Sequence, residues 1–235
     1  MQATVIDDTL IDARCLFEQL RREQEQAVTL HVAMVGSDGL VVGSDSLLRY
    51  APDDAIPQRF STSKHIVSPS ESTICFPAGT DSAIALARHI ATECDSVSVE
   101  QLQQRTGQFA TAAPTVSLHS DEVLIVKTSE SDAFWLARRN VLSSGTLIRV
   151  EEFLCTGVKT PATFLAHHLW RKDRTVNELK RLALLTLSYA AQEEPGSIGP
   201  PFRLMTLTKR GIEWSDHEPI DCGDFQRGIE TLAFS

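Results

Sequence analysis

Thr29-Leu-His-Val-Ala-Met-Val-Gly-Ser-Asp-Gly-Leu-Val-Val-Gly-Ser-Asp45-Ser46 is the stretch on which the reading of this chain turns. Residues 28 to 36 are apolar and rich in β-branched side chains, Ser37-Asp38-Gly39 offers turn chemistry with a glycine free to take positive φ, and Leu40-Val41-Val42 returns. That pattern predicts a β-hairpin. Upstream, Leu10, Ile11, Cys15, Leu16, Phe17 and Leu20 lead into the charged end Arg21-Arg-Glu-Gln-Glu-Gln26, which predicts an amphipathic helix before the main domain.

Downstream, a polar loop is expected from Arg49 to Arg59, then short strands near 64–67 and 73–76. Ala83, Leu86, Ala87, Ile90, Ala91 and Cys94 form one apolar stripe, so a helix opens near Ala78-Gly79-Thr80-Asp81. A second helix begins at Ser98, with Gln101 completing a capping box, and Gly107 and Pro114 are expected to keep it short. Strands follow near 123–126, 133–137, 147–150 and 153–155. Thr160-Pro161 and Thr175-Val-Asn-Glu178 open two more helices, the second stopped by Glu194-Pro195-Gly196. A last hairpin turns at Lys209-Arg210-Gly211. Strands, helix pair, strands, helix pair, hairpin is an order that buries itself well as an α+β fold, a four-layer αββα sandwich of two antiparallel sheets.

The composition bounds the function. A net charge of −9 argues against a chain built to bind nucleic acid or anionic membrane, both of which reward clustered Lys and Arg. The five cysteines form no C-x-x-C pair and their number is odd, which suits free thiols in a reducing, cytoplasmic setting. Asp7, Asp8 and Asp12 interrupt any signal-like N-terminus, and no apolar run approaches the roughly 18–20 residues that span a bilayer.

The quoted stretch resembles the opening of a mature proteasome β-type subunit, a family of N-terminal-nucleophile hydrolases. Thr29 and Asp45 stand sixteen positions apart, as that family's nucleophilic threonine and its buried acid do. The resemblance continues through Lys64-His-Ile, Ala78-Gly79, Leu154-Cys-Thr156-Gly157 and Glu194-Pro-Gly-Ser197, from residue 29 to about 215. It implies an extension, 1–28, that is either a propeptide or a leading helix, and a hydrolase domain over 29–235.

The implied chemistry is as follows. A threonine hydroxyl is a weak nucleophile, and a freed α-amine with a pKa near about 7.7–8.0 can take its proton. Lys64 would favour the deprotonated hydroxyl, Asp45 would pair with Lys64, and the Gly79 N–H would steady the oxyanion. Thr156, Glu194 and Ser197 would form a network around the amine. By the same resemblance Leu48, Thr62, Pro77 and Asp81 would line the substrate pocket. No metal or organic cofactor is implied; the partners implied are a peptide or protein substrate and further copies or subunits in a homo-oligomer or proteasome-like assembly.

Three departures count against a simple peptidase. Val28 stands where self-cleaving members place glycine, and a β-branched residue stiffens the bond that must turn. Thr80 and Ile198 replace common glycines, and the region after Gly107 is short. The readings that follow are a threonine hydrolase acting through an acyl-enzyme on Thr29, a non-catalytic assembly subunit with Thr29 unprocessed, and a small-molecule amidase on the same fold.

Overall fold

The computed structural model describes residues 29–50, 58–79, 81–112, 121–129, 132–138 and 146–223. The expected helix over residues 9–26, and Val28 and Thr80, lie outside them. The strands are β1 Leu30–Val35, β2 Gly39–Ser44, β3 Leu47–Tyr50, β4 Gln58–Ser61, β5 Ile66–Val67, β6 Thr73–Ala78, β7 Asp121–Lys127, β8 Asp132–Arg138, β9 Thr146–Arg149, β10 Phe153–Gly157, β11 Phe202–Thr208 and β12 Gly211–His217. The helices are α1 Asp81–Glu93, α2 Val99–Ala112, α3 Pro161–Leu169 and α4 Val176–Glu193.

The decisive stretch forms the β1–β2 hairpin, in which His31 faces Ser44 and Val35 faces Leu40. It lies inside a five-stranded antiparallel sheet of order β10-β1-β2-β11-β12. A second five-stranded antiparallel sheet runs β5-β6-β7-β8-β9, and β3 pairs with β4 in a separate ribbon. The fold class is therefore α+β with two main antiparallel sheets and, among the described residues, four helices.

Strand alternation sorts the hairpin's side chains. Leu30, Val32 and Met34 pack with Ala162, Leu179, Ala183 and Leu187 of α3 and α4. On the opposite face of β1, Ala33 joins Val42 and Met205 in a cluster with Ile74, Phe76 and Leu124 of the second sheet. Cys75, Val123, Ile125 and Leu136 of that sheet pack against Leu86, Ile90 and Leu102 of α1 and α2. Each fully buried Leu, Ile, Val or Phe contributes roughly 1.5–3 kcal/mol, so the alternation fixes which face of β1 looks into the space between the sheets.

Local signals behave largely as expected. Ser98 and Gln101 exchange the capping-box bonds at 3.3 and 3.4 Å, and Thr175 accepts from the Glu178 N–H at 3.4 Å. At Thr160 the bonds run otherwise: the Thr163 hydroxyl accepts from the Thr160 N–H and donates to the Thr160 carbonyl. Two expectations fail. The supposed loop from 49 to 59 carries the ends of the β3–β4 ribbon. Helix α2 also runs through Gly107 to Ala112, because one glycine costs only about 1 kcal/mol while Leu102 buries its inner face. Among the described residues no helix is long and apolar enough to cross a membrane.

Candidate active site

Thr29 is half-buried at the entrance to β1, where its carbonyl accepts the Val158 N–H at 2.9 Å. Asp45 leaves the far end of the partner strand, so the hairpin register brings it back beside the first residues of β1. There its Oδ1 accepts the Leu30 N–H at 2.9 Å, and its own N–H donates to the Leu30 carbonyl at 3.2 Å. Its Oδ2 accepts from the Leu47 N–H at 3.2 Å. Lys64, just ahead of β5, donates to both carboxylate oxygens at 3.0 and 2.8 Å. The side-chain exposures are 7% for Lys64 and 0% for Asp45, so this ion pair is desolvated.

Burial dominates the protonation of both groups. It pulls the Lys64 ammonium below its ordinary range and pushes Asp45 up, while each charge opposes the other's shift. Such a pair recovers its desolvation cost only with good geometry and further hydrogen bonds, which the two backbone N–H groups supply. The arrangement places a lysine of weakened proton affinity one residue from Thr29 along the Asp45–Leu30 bond.

Gly79 follows β6 with φ of 129°, a backbone that favours glycine, and precedes α1. Thr156 is fully buried on β10, directly across from His31, and its hydroxyl has no hydrogen-bond partner among the described residues. Glu194 is the exposed C-cap of α4; its N–H donates to the Ala190 carbonyl and its carbonyl accepts from Ser197 and Ile198. These are backbone contacts, and Ser197 is half-buried beside them. Of the expected pocket, Pro77 is buried in β6, while Thr62 is exposed with its N–H on the Ser46 carbonyl. Leu48 pairs with Phe60 in the ribbon and Asp81 begins α1, but both side chains lie outside what is described.

Two neighbours were missed by sequence reasoning. His31 is 1% exposed, and its Nε2 lies 3.0 Å from the Pro77 carbonyl, which makes Nε2 the protonated nitrogen. Its Nδ1 is buried without a hydrogen-bond partner among the described residues, and burial lowers the imidazole pKa to about 3, with Lys64 and His65 adding to the shift. The signal was there: a lone histidine inside an apolar strand, two residues after the threonine. Glu122, at the start of β7, is 7% exposed and accepts the Gly157 N–H at 2.8 Å. Nothing in its local sequence distinguishes it from a solvated strand-end glutamate.

A groove of about 430 Å³ opens elsewhere, lined by Gly36, Asp38, Asp132, Arg149, Lys172 and Lys209. It lies at the hairpin turn, the opposite end of β1 from Thr29.

No family model matches the chain. No curated protein matches it. Solved structures do. Anbu from Hyphomicrobium sp. strain MC1 is similar at a TM-score of 0.66 and 14% identity, over 88% of this chain and 97% of that one. Its Gly-1 mutant gives a TM-score of 0.62 at 14% identity, over 87% and 97%. Anbu (ancestral beta-subunit) from Yersinia bercovieri gives 0.61 at 14% identity, over 88% and 97%. These likenesses establish a proteasome-like fold and correct the family expected from sequence. The structures this chain resembles belong to Anbu, a family distinct from the proteasome β-type subunits.

Proposed function

We propose that this protein is a threonine-dependent amide hydrolase on a proteasome-like fold, with residues 1–28 as a removable extension and Thr29 as the N-terminal nucleophile of the domain 29–235. The observation that carries this reading is the buried Asp45–Lys64 pair bonded to the N–H next to Thr29. A desolvated ion pair gives little net stability, and a lysine of weakened proton affinity is what proton transfer from a hydroxyl needs. The two helix pairs packed on the outer faces of the two sheets support the finer reading of a four-layer αββα sandwich.

Processing begins when the Thr29 Oγ attacks the Val28 carbonyl carbon. The C–N bond breaks, the proton passes to the leaving nitrogen, and water hydrolyses the resulting ester. Residues 1–28 leave with a carboxyl end and Thr29 keeps a free amine. In turnover that amine and Lys64 accept the hydroxyl proton, and Asp45 holds Lys64. The N–H of Gly79 faces the oxyanion, and an acyl group on Oγ is released by water. Thr156 offers its buried hydroxyl to the amine, and Glu194 and Ser197 are assigned to the outer part of that network. Leu48, Thr62, Pro77 and Asp81 are assigned to the pocket for the peptide or amide side chain. The work is done in the cytoplasm by an oligomer; the word subunit in the Yersinia Anbu description supports the assembly.

Replacing Thr29 by Ala abolishes both loss of the extension and labelling by an epoxyketone probe. An uncut chain that still turns over an amide substrate overturns the reading. Val28 favours the second reading, a non-catalytic assembly subunit whose Thr29 stays within a continuous chain. Probe labelling at Thr29 eliminates it, and labelling without any cleavage in a peptide library points to a small-molecule amide instead.

A further inference from the structure

The row of β7 side chains that faces the space between the sheets runs Leu124, Val126 and, at its open end, Glu122. On β6 its neighbour is Ala78, the residue before Gly79. Across the gap, the Glu122 Oε2 takes the N–H of Gly157 in the other sheet at 2.8 Å. Gly157 has φ of 82°, and a β-carbon there would stand 1.8 Å from the Thr29 carbonyl oxygen and 3.4 Å from the Ala78 β-carbon. The next residue, Val158, donates its N–H to that same Thr29 oxygen. Gly157 is thus pressed between Thr29, Ala78 and Glu122, and one carboxylate bond ties β10 to the second sheet at this end.

We infer that Glu122 is a positioning residue for Thr29, acting through Gly157 to hold the Thr29 carbonyl seat against the β6 end that leads to Gly79. It binds no substrate itself. Its task needs an acceptor reaching across two sheets, and a charged acceptor makes the stronger bond to a backbone N–H. Burying a carboxylate on so few partners is costly, which is unexplained if the residue merely fills space.

Burial raises the affinity of Glu122 for a proton, with the Gly157 N–H and Lys159 opposing. Among the described residues, the other titratable groups against it are the Cys155 thiol, pushed up to about 12 by burial and so neutral, and Asp121, whose carboxylate turns away to Ser82. Protonation converts Glu122 to a poorer acceptor and loosens the seat. Besides the titration of its own α-amine, Thr29 chemistry therefore carries an acid limb above the ordinary carboxyl range that belongs to Glu122.

The inference rests on Thr29 as nucleophile for its effect on rate, so the test carries an arm that does not. In the full chain, the amide resonances of Gly157 and of Val158, which donates to the Thr29 carbonyl, are followed by NMR across pH, beside the epoxyketone labelling rate. Expected is one common titration of both amides above the ordinary carboxyl range, absent in Glu122→Gln. Glu122→Ala slows labelling about tenfold or more, as misplacement near the chemistry does, and Glu122→Gln recovers most of that loss but loses the acid limb. Amides that titrate together in a wild-type chain that never labels support the positioning and overturn the nucleophile reading. A Gly157 amide indifferent to Glu122, or an acid limb unchanged in Glu122→Gln, overturns the inference.

Discussion

His31 shows what burial does at a single residue. Its imidazole sits edge-on to Phe76 with ring centroids 5.6 Å apart and gives its one proton to Pro77. Its folded pKa of about 3 lies below the unfolded value of about 6.5, so the folded state holds fewer protons between them. The stabilising contribution is therefore complete above about pH 6.5 and is lost as pH falls toward 3, at no more than about 1.4 kcal/mol per pH unit for one proton. His65, lowered to about 4 mainly by burial, adds to the same window. Denaturant melts of wild type and His31→Phe at about pH 7.5 and 4.5 measure it; the variant loses the steeper part of the slope, and equal slopes reject the account. At Asp45 the expectation concerns charge. Asp45→Ala removes the carboxylate that neutralises the buried Lys64 ammonium and lowers stability by about 3–5 kcal/mol in urea melts. The spacing of Thr29 to Asp45 was legible in sequence because one hairpin fixes it. His31 to Pro77 and Glu122 to Gly157 were not, since each pair meets only when two sheets stack.

Glycines separate local backbone demand from packing at the level of elements. Gly211, in the β11–β12 turn, has φ of 110° with open space where a β-carbon would go. Gly157 has a similar backbone but no space at all. Gly211→Ala therefore costs about 1–3 kcal/mol from backbone strain alone, whereas Gly157→Ala adds a clash with the Thr29 carbonyl and costs clearly more. Thermal melts of the two variants side by side check the ranking; equal losses contradict it. The same contrast explains what could be read in advance. The β11–β12 hairpin, the capped start of α4 and the β1–β2 turn announce themselves through residues only a few positions apart. The β3–β4 ribbon does not, because residues 49 to 59 are polar and no alternation marks them. Of the two residues expected to limit helix α2, it ends ahead of Pro114 but runs through Gly107, because the burial of Leu102 against the second sheet is invisible to local propensity.

Across the whole molecule, two antiparallel sheets present one mixed interface to each other. Its body is apolar, built on Ala33, Val42, Phe76 and Leu124. At the Thr29 end the apolar filling gives way to the His31–Pro77 and Glu122–Gly157 bonds and the Asp45–Lys64 pair. Nearby, His65 stacks on Trp214 with centroids 4.4 Å apart, and Arg203 lies over Trp214 while pairing with Asp216. Polar groups collected at one end of an otherwise apolar interface are costly unless they act, and Thr29 stands at that end of β1. Whether it acts depends on the bond before it. Intact-mass measurement with N-terminal sequencing of the purified full chain tests this directly. The account predicts a chain that begins at Thr29 and gains the mass of one epoxyketone probe on that residue. A chain that retains residues 1–28 and takes up no probe contradicts it.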